Sequence, residues 1–152
     1  MLRRVSPTRP SALVRVFWKI HPVVYRWSRG RLLGHLAGMD VLVLETRGRR
    51  SGAPRATCLT YFAPRDARDA FVVIGSFLGA PRDPAWVHNL RSDPVAHVDV
   101  RGRRLRVRAR EAAGDERARL WSELVAIQPD YRRYEGLAAR RTIPVVVLEP
   151  TR

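Results

Sequence analysis

VAHVDVRGRRLRVRARE, residues 95–111, holds two alternating runs separated by Arg101-Gly102-Arg103. In the second run Leu105, Val107 and Ala109 fall on one side and Arg104, Arg106 and Arg108 on the other. That period of two belongs to a strand with one buried face, and a glycine-bearing turn between two such runs signals an antiparallel hairpin. The arginine row is read as a solvated face rather than a binding stripe, since a one-sided strand leaves alternate residues in water.

Working outward, the runs VLVLE (41–45), RATCLTYFA (55–63), AFVVIGSF (70–77) and IPVVVLEP (143–150) add four more strands. Two helical patterns interrupt them. PAWVHNLRSD (84–93) opens on Pro84 in its first turn, and DERARLWSELVAIQ (115–128) has Asp115 as N-cap with Ala118, Trp121, Leu124 and Val125 inward. The order β-β-β-α-β-β-α-β lacks the regular alternation of a doubly wound parallel sheet. The fold class expected is mainly β within α+β, an antiparallel barrel with helices over its open sides.

The chain has 152 residues, a net charge of +15 and 45% hydrophobic residues, which is too apolar for a disordered basic tail. Residues 1–39 contain no acidic residue. Within them Leu13, Val16, Phe17, Ile20, Val24 and Trp27 recur at helical spacing, opposite Arg15, Lys19 and Arg26, with Pro22 placed to kink or split the helix. This basic amphipathic segment has three readings: an arm packed on the main domain, an interfacial membrane anchor, or a nucleic-acid arm. Charges interrupt every apolar window long enough to span a bilayer, and no apolar secretory core follows MLRR. A cytoplasmic protein is expected, peripheral on the inner face of the cell membrane if the anchor reading holds. No nucleic-acid partner is expected, because zinc-finger and RNA-binding aromatic patterns are absent.

Cys58 is the single cysteine and reads as a packed thiol; His21, His35, His88 and His97 form no ligand pattern, so no metal site is expected. Three stretches can carry chemistry. GRRSGAPR supplies Arg49, Arg50, Ser51 and Arg55, donors suited to phosphate or carboxylate, although a plain basic hairpin fits the same residues. GSFLGAPRDPAWVHNL sets a glycine-containing loop and the helix bearing Trp86 and Asn89 beside a strand end, as a flat heterocycle would need; core packing is the alternative. QPDYRRY places Tyr131 and Tyr134 three apart, on one face if the helix continues past Pro129. Ser76, His88 and Asp83 offer hydrolase residue types without a G-x-S-x-G elbow.

In succession, LETRGRRSGAPR, GSFLGAPRDPAWVHNL, VRGRRLRVRAREAAGDERARLW, YRRY and TIPVVVLEP resemble the actinobacterial family of deazaflavin (F420)-dependent nitroreductases, or F420H2-dependent quinone reductases, across about residues 40–150. The resemblance implies a split β-barrel of the flavin-reductase/FMN-binding type at 40–152, preceded by the helical segment at 1–39. It implies coenzyme F420 as cofactor, FMN being the alternative. Arg49, Arg50, Ser51 and Arg55 would hold its phosphate and anionic tail, while Ser76, Phe77, Gly79, Trp86 and Asn89 would line the cleft around it. Ser76, Tyr131 and Tyr134 would serve the electron acceptor as catalytic residues. Hydride transfer to a quinone or nitroaromatic follows, with a non-catalytic F420- or flavin-sequestering protein as the rival reading and a basic nucleic-acid-binding domain as the more distant one. The chain departs from the family pattern at Gln128, where nitro-drug-activating members have tyrosine. It departs also at Phe77-Leu78, where lysine-glycine is common, and at Cys58, where proline is frequent.

Overall fold

The hairpin forms as read. In the computed structural model, which describes residues 12–138 and 140–152, β5 (Val95–Val100) and β6 (Arg103–Glu111) pair antiparallel. Arg101 and Gly102 both take positive φ, 48° and 77°, the geometry of a tight turn matched to strand twist. The remaining elements are α1 (Ala12–Trp27), β1 (His35–Leu36), β2 (Met39–Arg47), β3 (Pro54–Phe62), β4 (Phe71–Ile74), α2 (Ala85–Ser92), α3 (Gly114–Ile127), α4 (Tyr131–Leu137) and β7 (Val145–Pro150). Strand order β1-β2-β3-β4-β7-β6-β5, with a further β2–β5 pairing, closes β2 to β7 into a six-stranded antiparallel barrel.

Why some strands read as continuous apolar runs and others alternate follows from what covers them. On β2, Leu42 and Leu44 fill the barrel with Val98, Val107, Val146 and Leu148, while Val41 and Val43 lie outside, under Tyr25 of α1. On β7, Val145 and Val147 pack outward with Leu120, Leu124 and Val125 of α3. Each such buried side chain contributes about 1.5–3 kcal/mol. The outer side of β6 carries exposed arginines instead, which is why it alternates. Trp86, Val87 and Leu90 of α2 pack with the barrel-filling cluster.

Several expectations need correction. Leu120, not Ala118, is the inward residue in the first half of α3, and Trp121 is only half-buried; Asp115 lies in the first turn, the N-cap being Ala113. Pro84 is the N-cap of α2 rather than its first residue. The 70–77 strand ends at Ile74. Helix α1 continues through Pro22, and the face that packs is His21, Pro22 and Tyr25, not the Leu13–Trp27 stripe, most of which is exposed. With Trp18 they form a second helical register, i, i+3, i+4 and i+7, that wins because hydrogen bonds and ion pairs fix it. The Tyr25 hydroxyl donates to the Val41 carbonyl (2.9 Å) and accepts from the Arg101 N–H (3.1 Å). Arg26 bonds Asp99 (2.7 Å) and Glu45 (2.9 Å), the same two carboxylates that take Arg104. Arg104 is thus ion-paired while staying exposed, as Arg106 and Arg108 are, so the solvated row stands. Readings of residues 1–11, including the MLRR start, lie outside the described residues.

Candidate functional site

The hairpin between β2 and β3 is built around Gly48, whose N–H donates to the Ala53 carbonyl (2.8 Å) and where a Cβ would meet Ser51 Oγ at 2.8 Å. The Ser51 hydroxyl accepts from the Ala53 N–H (3.2 Å), so it shapes the turn and keeps its own proton to donate. Asn89, buried on α2, locks the hairpin to the barrel. Its amide donates to Thr46 Oγ1 (3.0 Å) and its oxygen accepts the Arg49 N–H (3.1 Å). The side chains of Arg49, Arg50 and Arg55, together with Arg82, form no ion pair or hydrogen bond with the described residues.

These groups border one cleft of about 850 Å³, a size suited to a cofactor and a small second molecule. β3 lines it from Arg55 to Thr60, roughly 17 Å at the usual strand rise. Toward the Arg55 end stand the hairpin residues Thr46, Gly48, Arg49, Arg50 and Ser51 with Asn89, which bonds that hairpin; at the Thr60 end stands Tyr131, which bonds Thr60. Trp18, Leu36, Cys58, Phe77, Leu78, Arg82 and His88 complete the wall. Trp18 of α1 meets the Phe77 ring, centroids 5.8 Å apart, so helix and loop touch beside the cleft.

The titratable groups near the second end stay neutral. Burial pushes the Tyr131 phenol above its ordinary value of 10.0, against the opposing hydrogen bond with Thr60 (3.2 Å). Burial pushes the Cys58 thiol up to about 12 and the His21 imidazole down from 6.5, so Cys58 Sγ and His21 Nδ1 share a hydrogen bond as a neutral pair. Cys58 thus agrees with the packed-thiol reading while also lining the cleft.

Of the residues singled out in the sequence, Arg49, Arg50, Ser51, Arg55, Ser76, Phe77, Trp86, Asn89 and Tyr131 meet at this cleft. Ser76 is buried, and its hydroxyl has no hydrogen-bond partner among the described residues. Gly79 and Tyr134 are not on the wall. Gly79 sits under α4, where a Cβ would lie 2.6 Å from that of Leu137, and Tyr134 packs edge-on against Tyr131, centroids 5.4 Å apart. The helix does not continue past Pro129; Tyr131 opens a new one. Missed were Arg82, which lies inside a quoted motif, and Trp18, which the second register of α1 could have flagged; His88 and Asp83, weighed only as hydrolase residue types, also line the cleft. Thr60 carried no signal beyond its strand. Among the described residues no cluster of metal-ligand types occurs.

A family model described as F420H(2)-dependent quinone reductase matches residues 17–150. An F420H(2)-dependent quinone reductase of Mycobacterium tuberculosis strain H37Rv is 36% identical over 135 residues, which is 86% of this chain and 87% of that protein. Among solved structures, an F420-H2 dependent reductase superposes with a TM-score of 0.62 at 28% identity, over 72% of this chain and 93% of that one. A FAD-binding protein from Mesorhizobium loti, 13% identical with a TM-score of 0.50 over 74% of this chain and 79% of its own, shares the fold.

Proposed function

The chain belongs to the F420H(2)-dependent quinone reductase family, and we propose that its cleft binds F420 by the arginine-rich end and presents the acceptor, a quinone, at the apolar end. The observation that carries this reading is the cleft's asymmetry: Arg49, Arg50 and Arg55 of the β2–β3 hairpin without an acidic partner of their own at one end, neutral side chains around Thr60 at the other. The residues fit the cofactor's chemistry, since guanidinium forks suit phosphate and polycarboxylate groups. When bound, reduced F420 supplies a hydride; the protein supplies position, dryness and a proton.

In this reading Arg49, Arg50 and Arg55 hold the anionic groups, with Arg82 and the Ser51 hydroxyl adding donors. Asn89 fixes the hairpin that carries them. Ser76 offers its unpartnered hydroxyl to the ring system. Tyr131 keeps a proton at Oη through neutral pH and can donate it to the acceptor oxygen as charge develops there, with Thr60 orienting the hydroxyl. Tyr134 acts by steadying the Tyr131 ring. Trp18, Leu36 and Phe77 keep water from the acceptor. Nitroaromatics are a second acceptor class and should turn over more slowly, because Gln128 offers no phenol; its amide instead donates to the Ala37 carbonyl (2.6 Å).

The test is reoxidation of reduced F420 by menadione, with parallel fluorescence titrations of F420 and FMN. Micromolar F420 binding with turnover is expected; absence of both overturns the reading, and binding without turnover favours sequestration.

We further propose that α1 meets an anionic membrane surface. Support comes from its exposed Leu13, Val16, Phe17, Ile20 and Trp27 and from the acid-free composition of residues 1–39. No helix among the described residues is long and apolar enough to cross a membrane. Leu13→Glu with Trp27→Glu leaves the packed Tyr25 face intact and should abolish pelleting with phosphatidylglycerol vesicles. Unchanged pelleting would remove the idea.

A further inference from the structure

We propose that Arg141 is a positioning residue for the reaction, a clasp that holds the 75–83 segment in the shape that walls the cleft; this rests on the cofactor reading of that cleft. The segment needs holding. Phe77, Leu78 and Gly79 take consecutive positive φ values of 44°, 55° and 78°, a conformation in which Cβ crowds the backbone and which phenylalanine and leucine seldom adopt. Its internal bonds are two: the Gly79 N–H donates to the Ser76 carbonyl (2.9 Å) and the Ala80 N–H to the Phe77 carbonyl (3.0 Å).

One side chain from outside supplies more than that. Arg141 Nε donates to the Ala80 carbonyl (2.8 Å), Nη2 to the Ser76 carbonyl (2.8 Å), and Nη1 to the Gly75 carbonyl (3.1 Å) and Asp83 Oδ1 (2.7 Å). Four acceptors spread over nine residues converge on one planar fork, a geometry that a lysine ammonium cannot reproduce. The second oxygen of Asp83 takes Arg91 (2.9 Å), so the clasp extends to α2, the helix that carries Asn89. Behind the segment there is no slack. The Gly75 N–H donates to the Pro144 carbonyl (2.9 Å), and a Cβ at Gly75 would stand 3.1 Å from Val87 and 3.2 Å from Pro144.

Arg141 itself is not part of the cleft lining and is mostly covered, its side chain 12% exposed. It acts through the segment. With the Gly75 and Ser76 carbonyls turned toward the guanidinium, the planar trans peptides aim the N–H groups of Ser76 and Phe77 the opposite way. Neither N–H finds an acceptor among the described residues, so the clasp leaves two backbone donors available beside the Ser76 hydroxyl.

The experiment compares Arg141→Lys, Arg141→Ala and Asp83→Asn with the parent. Arg141→Lys should speed amide hydrogen exchange in 75–83 of the free protein at least tenfold, with the barrel strands unchanged. It should weaken F420 binding by tenfold or more in a fluorescence titration and lower kcat with menadione. A merely structural role would raise exchange throughout the barrel and reduce the active fraction at unchanged Kd. If folded Arg141→Lys keeps both exchange in 75–83 and the F420 Kd within twofold of the parent, the proposal is overturned. Should Arg141→Ala fail to fold, Arg141→Lys and Asp83→Asn decide. Arg119→Ala, which removes an arginine on α3 paired with two carboxylates, should change neither readout. A parent protein that fails to bind F420 sinks the cofactor reading alone, since the exchange measurement still judges the clasp.

Discussion

The two ends of the cleft solve opposite electrostatic problems. At one, the side chains of Arg49, Arg50 and Arg55 on the β2–β3 hairpin have no acidic partner among the described residues, so their donors are free for an incoming anion. Several arginines elsewhere on the surface are answered, Arg91 by Asp83 and Glu111, Arg104 by Glu45 and Asp99, Arg110 by Glu116 and Glu149, while the side chains of Arg106 and Arg108 have no ion pair among the described residues but line no part of this cleft. At the other end every group whose titration shifts is kept neutral by burial: Tyr131, Cys58 and His21. The difference teaches that net charge says little about a binding site; what matters is which charges lack partners, and where.

The largest expected effect comes from removing unanswered charge. Arg50→Ala and Arg55→Ala should each weaken F420 binding roughly 10- to 100-fold, the loss of about 1.5–3 kcal/mol expected for a charge-assisted hydrogen bond. Arg106→Ala, equally basic but on the outer side of β6, should stay within twofold at the same ionic strength. Equal losses at all three positions would mean that a diffuse positive field, not the cationic end, does the binding.

Next in size is the apolar end. Tyr131→Phe keeps the ring and removes the proton held beside Thr60, so kcat with menadione should fall at least tenfold while the F420 Kd holds. Tyr134→Phe should cost far less, because that hydroxyl is off the wall. A shift in cofactor affinity with Tyr131→Phe would blur the division between the two ends.

Asn89 joins the cationic end to the barrel, and its substitution separates fold from charge. Asn89→Ala strands Thr46 and the Arg49 N–H and should destabilise the protein by about 2 kcal/mol. That lowers the melting temperature by roughly 4–8 °C for a domain of this length. An unchanged melting temperature would show that the hairpin holds itself.

How much of this was legible in the sequence differs between the same two regions. The cationic end lies in contiguous motifs, and hairpin, loop and α2 could each be read locally because glycines, proline and arginines mark them. The apolar end is assembled from α1, the 35–36 strand, β3 and α4, elements far apart in sequence, so no spacing rule gathers them. Helix α1 misled in a specific way. Its more hydrophobic stripe, Leu13 to Trp27, is largely exposed, whereas the less apolar register of Trp18, His21, Pro22 and Tyr25 faces the barrel, because Tyr25 and Arg26 find hydrogen-bond and ion-pair partners there. Hydrophobic periodicity measures which face is apolar; it does not count the polar contacts that fix orientation. Arg141 was invisible for a related reason, since its four acceptors are mostly backbone carbonyls, which any sequence would supply.

The smallest expected effect concerns the helix that walls the apolar end. His21 is buried against Cys58, and burial lowers its imidazole from 6.5, so the unfolded chain binds the proton more readily than the folded one. Its contribution is therefore fully present above pH 6.5 and is lost as pH falls from there through the lowered folded value. Glu45 acts in a separate window. Burial alone would raise its carboxyl, but the bonds from Arg104 and Arg26 outweigh that and hold it below 4.5, so their contribution is lost only in stronger acid. Thermal melts between pH 7.5 and pH 5 should thus show a shallow decline in the parent that His21→Gln flattens, with the cationic end unaffected as judged by F420 affinity at each pH. A decline of equal slope in His21→Gln would place the acid-sensitive group elsewhere and leave α1 docked by Tyr25 and Arg26 alone.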